Sequence, residues 1–187
     1  MSKAIFISED YIKQNTNIND NVDVKLLKMA IIEAQELHLL EAIGTGLYND
    51  LNDKIIADPD LSGYPNELAL MRLYVRPMLK YWVLYEATPV LLFKLTNKAN
   101  STSTSDNSNP IQYEDMKYSQ NQYKAKAQVY TERLIKYLQA NYTLFPLYYN
   151  AGTSIDTIFP KNEGFTTDWY LGLSYSNGQT NDTGDIR

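Results

Sequence analysis

The sequence predicts a mainly all-α protein, a compact bundle of about four or five helices with an extended C-terminal arm. Three observations carry that expectation. Apolar residues recur at helical spacing over three long stretches, and turn-forming residues punctuate the gaps between them. The stretch from Tyr142 to Arg187 is rich in aromatics but aperiodic, and Gly152, Gly164, Gly172, Pro146 and Pro160 forbid a long helix in it. Residues 1–150 are read as a helical domain and residues 151–187 as an aromatic arm.

Ala4 to Ile7 are short, apolar and expected to be extended. Ser8 before Glu9 and Asp10 reads as an N-cap with acids in the first turn, predicting a short helix to about Gln14. Asp20 or Asn21 is expected to cap the next helix, from Val22 to Ile43, whose apolar face is Leu27, Ala30, Ile31, Ala34 and Leu37. Gly44 suits the residue just past a helix end, and Leu47, Leu51 and Ile55 mark one face of a helix opening at Thr45-Gly46. Asp58 to Gly63 breaks the chain, and Pro65 fits the first turn of the helix that follows. That helix, Asn66 to about Leu95, is apolar nearly all round, so it is expected at the centre. Pro77 and Pro89 should kink or break it. Residues 96–111 are mostly Ser, Thr and Asn and read either as a loop or as a hairpin beginning near Phe93 and ending near Ile111. Gln112 to Asn141 returns to helix, with Met116, Tyr123, Ala127, Tyr130, Leu134 and Tyr137 on one face.

Composition narrows the function. The net charge of −5 gives no electrostatic case for nucleic acid as the main partner. Absence of cysteine removes disulfides, thiol nucleophiles and thiolate metal sites. The opening MSKAIFISEDYIK has no long apolar core, so no signal peptide is expected, and no run of about 18 apolar residues suggests a membrane span. Sequons at Asn100, Asn141 and Asn181 lack a secretory context and read as chance matches.

No chemistry-bearing constellation stands out, and no metal or cofactor is expected. His38 is the sole histidine and reads as a packing or hydrogen-bonding residue, since no orienting partner for a general base is visible nearby. Asp58, Asp60, Ser62 and Gly63 match part of a calcium loop, but Ala69 stands where a bidentate glutamate is required. Arg72, Arg76 and Lys80 form a basic stripe at i, i+4, i+8. Pairing with Glu67, Glu86 or a neighbouring helix is the favoured reading of that stripe. Alternatively it could take phosphate or acids on an adjoining subunit. Gly44-Thr45-Gly46 is too short for a phosphate loop and is followed by Leu47-Tyr48 rather than a lysine-serine pair. An apolar, irregular tail needs a surface to lie on, and that points to an assembly component rather than an enzyme.

The order of segments resembles the head-to-tail connector (adaptor) proteins of tailed bacteriophages, in the version found in crAss-like and other phages of Bacteroidetes. The similar residues are Ala30-Ile31 and Ala34-Gln35, then Gly44, Leu47, Tyr48 and Leu51. They continue with Arg76-Pro77, Leu79, Tyr81-Trp82, Leu84 to Ala87 and Pro89, then the helix from Tyr130 to Asn141 with Phe145-Pro146-Leu147-Tyr148. The likeness covers roughly residues 5 to 150. It implies a helical subunit of a homo-oligomeric ring, commonly a dodecamer, located in the virion at the portal vertex. Its partners would be the portal protein and the next tail component, with DNA passing through the channel without sequence-specific binding, and no catalytic residue would be required. The alternative is a helical adaptor of a different assembly that binds a partner through its arm. The residues expected to touch partners are Ile155, Ile158, Phe159, Phe165, Trp169, Tyr170, Leu171 and Tyr175 in the arm, with Arg72 and Arg76 on the body. Within the tail, Phe145 to Tyr149 should pack back on the bundle, leaving Ile155 to Tyr175 for a neighbour.

Overall fold

The computed structural model describes residues 3–18, 22–95, 100–102, 113–153 and 155–160. Its core is a helical bundle in which one rod is wrapped by two others. Helix α1 (Glu9–Asn15) starts at Ser8, whose Oγ accepts the Tyr11 N–H at 3.1 Å. Helix α2 (Val24–Ala34) is capped by Asp23, whose Oδ1 accepts the Lys25 N–H at 2.9 Å. The cap therefore lies at Asp23 rather than at Asp20 or Asn21.

A π-helical turn, Gln35–Leu39, joins α2 to α3 (Leu40–Ala57), which is itself kinked at Gly44. This turn corrects the expected apolar face. One extra residue in the winding shifts the phase by about 100°, so Leu37 is 57% exposed while Leu39 is fully buried and Gln35 faces the interior. The inward amide of Gln35 then has work to do. Its Oε1 accepts the Phe6 N–H at 2.8 Å and its Nε2 donates to the Ala4 carbonyl at 3.1 Å. Asn52 Oδ1 accepts the Ala4 N–H at 2.8 Å. Two side-chain amides thus satisfy backbone groups of Ala4 and Phe6 in a segment that bends at Phe6 and Ile7 rather than running extended, and both of those side chains are buried.

Past α3, Asp58 Oδ2 accepts from Ser62 Oγ at 2.9 Å and from the Gly63 N–H at 3.0 Å. These bonds hold its carboxyl below the usual range and turn it onto its own loop, as expected of a helix-breaking turn. Among the described residues no cluster of three His, Cys, Asp or Glu could hold a metal ion. Lys54 lies 2.7 Å from Asp50 and 2.6 Å from Glu67, tying α3 to α4 (Pro65–Leu70). Burial lowers its pKa, but the two carboxylates outweigh that and raise it on balance.

Helix α4 runs through a second π turn, Met71–Val75, into α5 (Arg76–Leu92), making the central rod. Both prolines inside this rod, beyond Pro65 at its start, are accommodated locally. Pro77 follows the π turn, where the Arg76 N–H reaches back to the Met71 carbonyl. The wider winding relieves the clash a proline ring makes with the carbonyl four residues earlier. Pro89 leaves the Tyr85 carbonyl without its helical donor, and Gln120 Nε2 supplies one from the neighbouring helix at 3.3 Å.

Strand β1 (Phe93–Leu95) pairs antiparallel with β2 (Asn100–Thr102), with Lys94 opposite Ser101. Of the two readings of this stretch, loop or hairpin, the pairing of 93–95 with 100–102 fits the hairpin, while residues 96–99 and 103–112 lie outside the described residues. Helix α6 (Tyr113–Ala140) returns along α5, and α5 also packs on α2. The core is continuous: Leu27, Ile31, Leu51, Val75, Leu79, Val83, Ala127 and Leu134 are all buried. Trp82 Nε1 donates to Thr131 Oγ1 at 3.0 Å, satisfying the indole across the α5–α6 seam. Among the described residues no helix is long and apolar enough to cross a membrane.

Replacing Gln35 with Ala should remove both bonds to the Ala4–Phe6 backbone and leave its buried groups unpaired. The expected loss is about 2–3 kcal/mol in urea unfolding, with no change in helical content. A loss under about 0.5 kcal/mol would mean that the amide clamp does not hold the segment.

Candidate functional site

The part of the tail that the structure describes is fastened to a short stretch of α3. Gly44 lies in the left-handed region (φ +76°) and interrupts the helix, so the N–H groups just after it lack intrahelical partners. The Ile158 carbonyl accepts one of them, the Thr45 N–H, at 2.9 Å. In return the Ile158 N–H donates to Thr45 Oγ1 at 2.8 Å. The tail thus caps a helix 113 residues earlier in the chain.

Both flanking glycines are needed for this approach. A β-carbon on Gly44 would lie 2.7 Å from Pro160 Cδ and 3.1 Å from the Ile158 carbonyl oxygen. One on Gly46 would lie 2.6 Å from the Asn150 oxygen, 2.8 Å from the Leu147 oxygen and 2.9 Å from Ala151 Cα. Those are contacts with backbone, which cannot swing aside as a flexible side chain could.

Between α6 and this dock, a 3₁₀ turn (Pro146–Tyr148) lays the chain across α3. Phe145 and Tyr148 are buried, and Phe145 meets the Tyr137 ring with centroids 6.1 Å apart. Tyr149 points outward, half exposed, with its ring edge-on to Tyr148. Ala151 is buried too, so the body-hugging stretch runs beyond Asn150. Burial pushes the Tyr148 hydroxyl up to about 12, with Tyr149 adding to the effect.

The backbone is held while its side chains face out. Ile155 is fully exposed, Phe159 is 68% exposed and Ile158 is 40% exposed. Ile158 and Phe159 thus stand out from backbone held against Thr45 and Gly44, with Ile155 exposed just before them. Phe165, Trp169, Tyr170, Leu171 and Tyr175 lie outside the described residues. Arg72 is exposed and Arg76 half-buried. Neither pairs with Glu67 or Glu86 as the sequence favoured, because Glu67 meets Lys54 and Glu86 meets His38.

The histidine has a partner that sequence proximity did not reveal. His38 Nε2 lies 2.7 Å from Glu86 Oε1, and its ring stacks on Trp82 with centroids 3.5 Å apart. A cavity of about 440 Å³ opens beside it, lined in part by Glu41, Lys124, Gln128 and Glu132. The ring's face and one nitrogen are both engaged in joining the first π turn to α5, which agrees with a packing and hydrogen-bonding role. Glu86 is 48 residues away, and only its i+4 offset from Trp82 on α5 hinted that both could meet one neighbour.

Two measurements test the dock. Gly46→Ala should cost about 1–3 kcal/mol through overpacking against backbone, and amides from Leu147 to Ile158 should lose exchange protection while those of α5 keep theirs. Unchanged protection would show that the close approach is not needed. For Tyr148, the folded pKa is raised above the ordinary 10.0, so the folded state holds its proton longer. Its contribution is fully present below about pH 10 and is lost as pH rises towards about 12. The unfolding midpoint should therefore fall more steeply over that window in the wild type than in Tyr148→Phe; parallel curves would contradict the assignment.

A protein-family model, described as "Family of unknown function (DUF6712)", matches residues 39–158. The match begins at the last residue of the first π turn and ends at the residue pinned on Thr45, so it spans both sides of the dock. No curated protein and no solved structure matches the chain. With the family model covering well over half of its length, the chain belongs to the DUF6712 family.

Proposed function

We propose that the chain is a structural virion protein, a subunit of the ring that joins portal to tail in a bacteriophage and extends the DNA channel. The observation that carries this reading is the fastened arm. Ile158 and Phe159 stand exposed on backbone held by Thr45 and Gly44, and Ile155 is exposed just before them. Ordering apolar side chains outward costs solvation free energy unless another surface covers them. Holding them in advance lowers the entropy lost when a neighbour docks.

The order of helix-packing residues from Ala30 to Tyr148, similar to that of phage connectors, adds to this support. Ring subunits meet through heterologous contacts, in which an arm on one copy meets a different surface on the next. The role needs no catalysis, no cofactor and no sequence reading of DNA. Its partners would be further copies of the chain, the portal protein and the following tail component. The other reading, a helical adaptor in a different assembly, uses the same arm on a different partner.

Exchanging Ile155, Ile158 and Phe159 together for Ser should leave the unfolding midpoint within about 2 °C, because exposed side chains contribute little to the core. It should also abolish ring particles in electron micrographs and capture of the portal protein. Intact rings and portal binding by this variant would remove the arm from the assembly surface. Wild-type protein that forms no ring and ignores portal would favour the general adaptor.

A further inference from the structure

One flank of the α5–α6 pair gathers positive charge around stacked tyrosines. Tyr81 and Tyr130 stack with centroids 5.3 Å apart. Lys80 Nζ lies 4.7 Å and Lys126 Nζ 5.9 Å from the Tyr81 ring, and Arg133 Cζ lies 5.3 Å from the Tyr130 ring. Three cations from two helices thus meet at one stack. Arg76 stands one turn before Lys80, and four residues nearly close a turn in the π winding that carries Arg72. Among the described residues none of these five makes an ion pair. In a chain of net charge −5, unneutralised cations gathered on one flank create a local field that favours an anionic partner.

We propose that this flank is the dock for residues 161–187 of a neighbouring copy of the chain, an inference that rests on the ring reading above. The segment matches the flank in both of its properties. It carries Glu163, Asp168, Asp182 and Asp185 against Lys161 and Arg187, and it supplies four aromatic rings to a face already built on tyrosine. Placement favours the neighbour over the same chain. The described tail ends at Pro160 against Gly44, near Glu41 and Ala42, which share a cavity wall with Gln128 and Glu132 of α6. At 100° per residue, Lys126 is separated around α6 by about 160° from Gln128 and about 120° from Glu132. The tail is therefore delivered on one side of the subunit and the basic flank faces the other, the geometry of a head-to-tail contact. Nucleic acid suits the flank less well, since the rings of each stack already cover one another and the chain as a whole repels DNA.

The test uses full-length protein with a photoreactive benzoylphenylalanine in place of Trp169, mixed before assembly with isotopically heavy subunits. Cross-links should join light and heavy chains and fall on the peptide spanning Lys126 to Arg133. Lys126→Glu with Arg133→Glu, both exposed positions, should cut the yield about tenfold at low salt, an effect that salt itself imitates. Reversing Glu163 and Asp168 to Lys in the same chain should restore it. Rings whose cross-links fall elsewhere would overturn this dock and leave the ring reading standing. Monomers cross-linked only within one chain would overturn the ring reading and the neighbour with it. Duplex DNA retained by the wild type and released by the double reversal would make the flank a nucleic-acid site, which also overturns the proposal.

Discussion

The returning chain approaches α3 so closely that two positions tolerate no side chain, and much else follows from that constraint. Gly44 breaks the helix in the left-handed region, which frees N–H groups at Thr45 and beyond. Ile158 satisfies one of them and receives a bond from the same residue's hydroxyl. Gly46 admits the backbone of Leu147, Asn150 and Ala151. Main-chain contacts thereby hold the tail at Leu147 to Ala151 and again at Ile158 to Pro160, so the side chains of Ile158 and Phe159 are left facing out. A helix break and an outward-facing arm are two consequences of one contact.

The same logic recurs wherever a helix ladder is interrupted. Pro89 removes a donor and Gln120 replaces it from α6. The first π turn swings Gln35 inward, and its amide serves the backbone of Ala4 and Phe6. The second π turn admits Pro77 without breaking the central rod. Each defect is met by a group from a different element or by a local change of winding, so defects act as ties rather than weaknesses. The bundle is stitched by these polar contacts around a core that is otherwise apolar.

Much of the fold was legible because the three long helices have strong apolar periodicity, with breaks at Gly44 and Asp58 and a helix start at Pro65. Phase was less legible. Leu37 fits a regular helical face and lies outside because a π turn, which no propensity marks, intervenes. Composition showed that the tail needs a surface but not which one, since the surface is made of backbone at Thr45 and Gly46 over a hundred residues earlier. Likewise the stripe Arg72, Arg76, Lys80 was visible along one helix. Its completion by Lys126 and Arg133 depends on how α6 lies against α5. Local pattern reveals elements and stops; it does not reveal contacts between groups far apart in the chain.

A ring built by such a subunit would join copies through a pre-positioned apolar arm, with charge setting orientation more than strength. The most direct measurement is an electron cryomicroscopy reconstruction of the full-length protein assembled with portal. A closed ring beneath the portal is expected, with Ile155, Ile158 and Phe159 of each subunit buried against the next. A reconstruction of portal alone, with the protein remaining monomeric and those side chains in solvent, would contradict it.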